Sequence, residues 1–319
     1  MMKRPSLIGP AGFGLVVLIA ALAVIPMDLP LANDWLFRIA TLIMLAVSWN
    51  MMASAGMISL GHSAFWGLGS YGCLLAAGWL NWPFVASFVP ALILGAVAGL
   101  VVALVTGRLR GVFFAIATLA LSEGLRITGL MLPDYTGGAA GLFLAPGARP
   151  SGMMLYYAAV LGAVLAVLIA WLLSITRLRY AMRAMRDNED AAQMLGINPL
   201  FYRTLISAIA GAMAATAGGL NLWYAGYLAP DLAFTLHFAI LAQIAAIIGG
   251  INTLGGPVIG AFLIIGLSEL TRTTMGAKEG YSLLIYGVLL VGAITFMPNG
   301  LYGIFVQRRG RGFARGEQS

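Results

Sequence analysis

Long apolar runs, separated by short polar or glycine-rich segments, dominate the pattern of this 319-residue chain. Several runs reach the ~20 residues that a helix needs to cross a hydrocarbon core about 30 Å thick. In lipid each span must satisfy its own backbone hydrogen bonds, which favours helices. The pattern predicts an all-α, multi-pass membrane protein with one embedded domain over residues 1–319 and about ten spans, at residues 9–27, 35–55, 63–80, 84–106, 112–132, 153–175, 204–224, 236–248, 257–270 and 281–297.

Composition excludes a water-soluble globule. Hydrophobic residues make up 61% of the chain and charged residues only 9%, whereas soluble domains carry about 25% charged residues. The net charge of +7 comes from basic residues scattered between apolar runs, which favours a membrane protein over a nucleic-acid-binding one. One cysteine and two histidines argue against a protein-bound metal.

The distribution of Lys and Arg predicts the orientation. With both termini in the cytoplasm, thirteen of the eighteen basic residues face inward, in agreement with the positive-inside rule. Residues 303–319 are then a basic cytoplasmic tail and residues 133–152 an external loop. The N-terminus begins like a signal peptide at Lys3 and Arg4, but no small-residue cleavage site follows, so we expect an uncleaved first span.

One long polar segment interrupts the apolar runs, at residues 176–203, TRLRYAMRAMRDNEDAAQMLGINPLFYR. Its periodicity predicts one helix over residues 180–195, with a small apolar face and the ion pairs Arg183–Asp187 and Arg186–Asp190. Gly196 fits the position that ends such a helix. The helix could rest on lipid, but its acidic run would be repelled by anionic headgroups, so we favour a cytoplasmic protein partner.

Two uncharged junctions contain the pattern G-x-x-x-L-G, at residues 56–61 and 250–255. They predict broken or re-entrant helices, whose freed backbone groups face protein or a water-filled cavity. The alternative is that these glycines only allow close helix packing. In the first junction, His62 lies beside two serines; it either lines a cavity or holds the turn by a hydrogen bond.

Glu123 and Arg126 share one face of the fifth span. Charges at membrane depth are costly, so the pair either lines a translocation route or locks helices together. The glycine-rich stretch at residues 136–141 forms either an anion-binding backbone nest or a plain turn. No phosphate-binding G-x-x-x-x-G-K-[ST] loop and no catalytic constellation is present, so we expect a non-catalytic chain.

Several stretches resemble the permeases of branched-chain amino acid ABC importers, in particular the longer of the two paired permease subunits. They are NMMASAGMISLGHSAFWGLGSYG (50–72), RLRGVFFAIATLALSE (108–123), TGGAAGL (136–142), DAAQMLG (190–196), GGINTLGGPVIGA (249–261) and MPNGL (297–301). DAAQMLG is similar to the EAA-x-x-x-G loop, with Asp for Glu and without the usual distal proline. Ala140 stands where relatives commonly carry a polar residue.

The resemblance implies a bacterial cytoplasmic-membrane importer of branched-chain or related hydrophobic amino acids, or of urea or short amides. It implies a sister permease, two cytoplasmic ATPases that bind ATP and Mg, and an extracytoplasmic binding protein, while this chain itself holds no cofactor. The expected ATPase-coupling residues are Arg186, Asp187, Asp190, Ala191, Ala192 and Gly196. The expected path residues are Ser59, Gly61, His62, Glu123, Arg126, Gly137, Gly138, Asn252 and Gly255.

Two other classes compete with this interpretation. An ion-gradient-driven secondary transporter would suit broken helices and an intramembrane glutamate, but would not need the EAA-like helix. A structural membrane scaffold would leave the intramembrane charges unexplained.

Overall fold

A computed structural model of the chain describes residues 30–107, 109–145 and 147–275, with four isolated positions at 287, 288, 292 and 301. The predicted first span (9–27) and the basic tail (303–319) lie outside the described residues. The predicted tenth span (281–297) also lies outside them, except for three helical positions.

The described chain is mostly helical, because its apolar runs satisfy their backbone groups internally. In chain order the elements are α1 (Pro30–Ser54), α2 (His62–Trp79), α3 (Phe88–Val105), α4 (Val112–Met131), α5 (Pro133–Thr136), a 3-10 turn (Gly138–Ala140), β1 (Leu142–Phe143), α6 (Gly152–Ile175), α7 (Arg177–Asp187), α8 (Glu189–Met194), α9 (Pro199–Ala225), β2 (Tyr227–Leu228), α10 (Pro230–Ala233), α11 (Leu236–Gly250) and α12 (Gly256–Met275).

Each of the eight spans predicted between residues 35 and 270 coincides with a helix. Within the described residues, six segments are long and apolar enough to cross a membrane: Asn33–Ser54, Phe88–Val105, Val112–Met131, Gly152–Ile175, Pro199–Ala225 and Pro230–Gly250. A shorter apolar segment, Gly256–Leu270, lies in α12. α2 is less apolar because it is rich in glycine, serine and aromatic residues, and most of it is buried against other helices. The helical class is thus confirmed, and the count of ten is not.

Helix α9 lies at the centre of the bundle, packed against α1, α2 and α3. Its small residues allow the close approach. A Cβ added to Gly211 would lie 2.2 Å from the carbonyl oxygen of Gly95 on α3, and one added to Gly69 on α2 would lie 2.0 Å from the carbonyl oxygen of Ala215. Small residues at a crossing bring backbones close enough for extensive van der Waals contact, which drives helix association in membranes.

The junction between α1 and α2 folds back into the bundle. The indole nitrogen of Trp49, more than one turn before α1 ends, donates a 2.7 Å hydrogen bond to the carbonyl oxygen of Ser59. Gly61 then presses on α4, where an added Cβ would lie 2.1 Å from the carbonyl oxygen of Thr118. The backbone groups of this junction that have no partner within a helix therefore face protein, as a re-entrant junction requires.

The second junction is a tight turn between packed helices. A Cβ on Gly249 would lie 1.8 Å from the carbonyl oxygen of Gly256, and one on Gly260 would lie 1.8 Å from that of Ala245. Asn252 makes the turn with a positive φ of 62°. Here the glycines serve close packing of α11 on α12, which was the alternative interpretation.

The predicted external loop, residues 133–152, has structure of its own. It contains α5, the 3-10 turn and β1, and β1 pairs antiparallel with β2 through Leu142–Leu228 and Phe143–Tyr227. The Tyr227 hydroxyl also donates a 3.0 Å hydrogen bond to the carbonyl oxygen of Ala140. These contacts fix this segment to the short connection that follows α9.

Candidate functional site

The polar segment between α6 and α9 is two helices, so the prediction of one helix over residues 180–195 is wrong. The break is at Asn188, whose backbone is extended (φ −158°). Its side-chain oxygen accepts a 3.0 Å hydrogen bond from the amide of Ala191. Asparagine satisfies free amides at a helix start in this way, so it begins α8 instead of continuing α7.

The break rearranges the predicted ion pairs. Arg183 and Asp187 both belong to α7 and pair at 3.8 Å. Arg186 pairs with Asp187 at 3.3 Å rather than with Asp190, because the break removes the helical spacing between residues 186 and 190. Asp190 instead meets Arg110, from the connection between α3 and α4, at 3.2 Å.

The predicted helix end at Gly196 is confirmed. Gly196 has a φ of +81°, in the left-handed region that glycine adopts without strain. The side-chain oxygen of Asn198 then accepts hydrogen bonds from the amides of Leu200 and Phe201 at the start of α9. Pro199 at the first position suits this start, since its missing N–H would have had no helical partner.

The end of α8 carries an exposed apolar tip. Ala192 is buried, whereas Ala191 and Asp190 on the other side are exposed. Met194 is 89% exposed and Leu195 79% exposed. The sequence pattern placed Leu195 on the small apolar face of a single helix and assigned no role to Met194; the position of both residues at the end of α8, after the helix break, is the signal that was missed. Adjacent exposed apolar side chains mark a contact with a protein or with lipid.

An ionic network joins α8 to the membrane helices. One carboxylate oxygen of Glu189 lies 2.8 Å from the Arg203 Nη2 atom of α9 and 3.0 Å from the Arg110 Nε atom. Arg203 also donates a 2.8 Å hydrogen bond to the carbonyl oxygen of Gly107 at the end of α3. The Arg203 side chain is 6% exposed and that of Glu189 10%. Sequence analysis assigned no role to these three side chains.

A cavity of about 550 Å³ lies beside this network, between α8, the end of α3 and the start of α9. Its lining is Leu104, Gly107, Arg110, Glu189, Gln193, Asn198, Pro199 and Leu200. The space between α8 and the bundle is therefore only partly filled by side chains.

The first glycine junction contacts α4. Ser63 and Ser122 share a 2.8 Å hydrogen bond between their hydroxyls. The amide of Leu60 donates to the Thr118 hydroxyl at 3.1 Å. His62 is fully buried, neither of its ring nitrogens has a hydrogen-bond partner in the described structure, and its ring packs edge-on against Phe65. The predicted hydrogen bond from His62 that would hold the turn is therefore not found.

Glu123 and Arg126 form an ion pair at 2.5 Å, as their spacing predicts. The structure adds a third member, because Arg126 also pairs with Asp231 of α10 at 2.5 Å. Glu123 is eight residues before the end of α4, so it lies ~12 Å along the helix from that end. The side chains of Glu123 and Asp231 are 52% and 61% exposed. Charges at this depth require protein or water, not lipid, on their open side.

The remaining predicted path residues divide into two groups. The amides of Gly137 and Gly138 donate to the carbonyl of Pro133 and the hydroxyl of Thr136, so neither is open to an anion. Thr136 in turn donates to the carbonyl of Gly129, which ties this group to α4. Asn252 and Gly255 belong to the turn between α11 and α12, away from this α4 contact.

Fold and site together define a multi-pass helical membrane protein, with a charged cluster on one of its spans and a structured polar segment between two others. The chain belongs to the family described as branched-chain amino acid transport system / permease component, whose pattern it matches over residues 31–294. The resemblance seen in the sequence motifs is thereby confirmed.

Two relatives come from Escherichia coli (strain K12). The high-affinity branched-chain amino acid transport system permease protein LivM is 27% identical over 309 residues, which cover 87% of this chain and 72% of LivM. The permease protein LivH of the same named system is 33% identical over 128 residues, 40% of each chain.

A solved structure titled PsaBC from Streptococcus pneumoniae in complex with Fab has the same fold. It aligns with a TM-score of 0.52 and 13% identity over 92% of this chain and 99% of that chain.

Proposed function

We propose that this chain is the membrane-spanning subunit of an ATP-driven importer for branched-chain or related hydrophobic amino acids. The observation that carries the proposal is α8, a short helix between two spans that has an exposed Met194–Leu195 tip and is fixed to the bundle through Glu189. The chain contains no phosphate-binding loop of its own, so ATP and Mg would be bound by a partner. A groove on a cytoplasmic ATPase would receive the tip of α8 and the neighbouring Asp190 and Ala191.

The assembly would contain two permeases. LivM and LivH carry the name of one transport system, and this chain is similar to both. We propose a sister permease, two ATPases inside and a binding protein outside. Both termini would be cytoplasmic.

The substrate route would run along the open side of α4. The side chains of Glu123 and Asp231 are more than half exposed on this chain, which supports a neighbouring subunit or water beside them. ATP and the loaded binding protein would favour opposite states of this route, because a cycle needs a different ligand for each state.

The test uses the full chain, tagged and purified from its native membrane. Cysteine in place of Met194 should cross-link to a co-purified ATPase, while Phe143→Cys, on the predicted outer side, should not. Asp190→Arg and Gly196→Pro should uncouple ATP hydrolysis from leucine uptake while leaving assembly possible. Unchanged uptake in both variants contradicts the coupling role. An active transporter that co-purifies with no ATPase supports the alternative, a transporter driven by an ion gradient.

A further inference from the structure

Glu189 lies where three parts of the chain meet. It begins α8, and its carboxylate reaches Arg203 on α9 and Arg110 between α3 and α4, at 2.8 and 3.0 Å. Both contacts use the same oxygen, Oε2. One side chain thus connects the cytoplasmic helix to two separate membrane elements.

Arg203 makes this connection rigid. Its Nη1 atom donates to the carbonyl oxygen of Gly107, and its Nη2 atom holds Glu189. The guanidinium group is planar and its donors keep a fixed relative geometry. The Arg203 side chain is 6% exposed, and both of its terminal nitrogens are hydrogen-bonded. If Glu189 moves, Arg203 therefore has little freedom to move with it while its bond to Gly107 stays in place.

Apolar packing gives α8 little other attachment. Of its six residues only Ala192 is buried, and a cavity of about 550 Å³ lies between α8 and the bundle. The chain continues to α9 through Gly196, a residue with a positive φ and open space around its Cα. If α8 were displaced, it could therefore rotate about Gly196 without moving α9, unless an ionic contact joined the two helices.

Stability alone does not account for the arrangement. Burying charges costs several kcal/mol of solvation for each ion, and well-packed apolar residues often serve stability as well or better. What a paired, buried ion adds is a defined geometry between the elements that it joins.

We propose that Glu189 is a positioning residue that transmits movement of α8 to the membrane helices. A push on α8 is delivered through Arg203 to α9 and through Arg110 to the start of α4, the helix that carries Glu123 and Arg126. This inference rests on the proposed function, since it takes an ATPase as the source of the push.

The experiment uses the complex with its ATPases in proteoliposomes and measures leucine transported per ATP hydrolysed. Glu189→Gln keeps the size of the side chain and removes its charge. We expect the ATPase to remain bound and ATP to be hydrolysed, while transport per ATP falls roughly tenfold, within the usual range of coupling between sites. Arg38→Gln breaks a partly exposed ion pair with Asp34 on α1 and should leave the ratio unchanged.

Charge reversal separates transmission from folding. Glu189→Arg alone should uncouple the complex, and adding Arg203→Glu should restore part of the ratio. If Glu189→Gln does not accumulate, Arg110→Gln breaks one of the two links at a side chain that is 56% exposed.

Three outcomes overturn the proposal. They are an unchanged ratio in Glu189→Gln or, failing that variant, in Arg110→Gln; a parallel loss of hydrolysis and transport; and no rescue by the reversed pair. Absence of any ATPase on the unaltered chain is a different result, because it contradicts the proposed function itself.

Discussion

The side chain of Asn50 holds the backbone of Asn252 at a separation of about two hundred residues. Its oxygen accepts a 2.8 Å hydrogen bond from the Asn252 amide, and its nitrogen donates at 2.8 Å to the carbonyl oxygen of Thr253. Asn50 follows Trp49, which binds Ser59 of the first glycine junction. One turn of α1 thus holds both glycine junctions.

This relationship makes Asn50→Ala destabilising. The amide of Asn252 would lose its partner in a part-buried position, which costs ~1–3 kcal/mol. Thermal unfolding of the detergent-solubilised chain should show a lower midpoint. Ser54→Ala on the same helix removes only a hydrogen bond to the carbonyl of Asn50, and should change the midpoint little. Equal midpoints for the two variants contradict the role of Asn50.

The cluster of Glu123, Arg126 and Asp231, which joins α4 to α10, predicts unequal effects of its members. Arg126→Ala leaves the carboxylates of Glu123 and Asp231 without their shared cation, whereas Glu123→Gln leaves Arg126 paired with Asp231. We expect Arg126→Ala to lower leucine uptake on the order of tenfold. The effect of Glu123→Gln should be smaller.

Membrane abundance must be measured alongside uptake in both variants. If Glu123→Gln and Arg126→Ala leave uptake, substrate range and abundance unchanged, the cluster is incidental to transport. A fall in abundance that matches the fall in uptake assigns the cluster to helix locking.

The contact between α9 and α3 predicts sensitivity to small-to-large changes. Gly211→Val would drive a side chain into the carbonyl of Gly95, which is 2.2 Å from the position of the added Cβ. Overpacking of this kind costs ~1–3 kcal/mol or more. The yield of monodisperse protein after detergent extraction should fall. Gly78→Ala, with no atom within 4 Å of the new Cβ, should extract like the unaltered chain.

Orientation can be read from thiol labelling. Cys73 is the only cysteine and is fully buried, so background labelling should be low. In intact cells a membrane-impermeant maleimide should label Phe143→Cys and spare Met194→Cys, and inside-out vesicles should show the reverse. Both side chains are at least three-quarters exposed. Labelling of Met194→Cys from outside would reverse the predicted topology.

The sequence alone predicted the helical class, the positions of eight helices and the family. Each of these depends on local quantities, such as the length of an apolar run, the residues at its ends or a short motif. Gly196 is an example, because a left-handed helix end depends on one residue and its neighbours. The break at Asn188 was missed because helical periodicity outweighed the capping preference of asparagine.

Only the tertiary structure brought together residues that are far apart in the chain. Asp231 joins Arg126 from 105 residues away and Arg203 joins Gly107 from 96 residues away. No periodicity encodes such pairs, since they depend on which helix faces pack and how closely glycines such as Gly211 let them approach. The apolar pattern determined that this chain is a membrane bundle, and helix packing decided which charges meet within it.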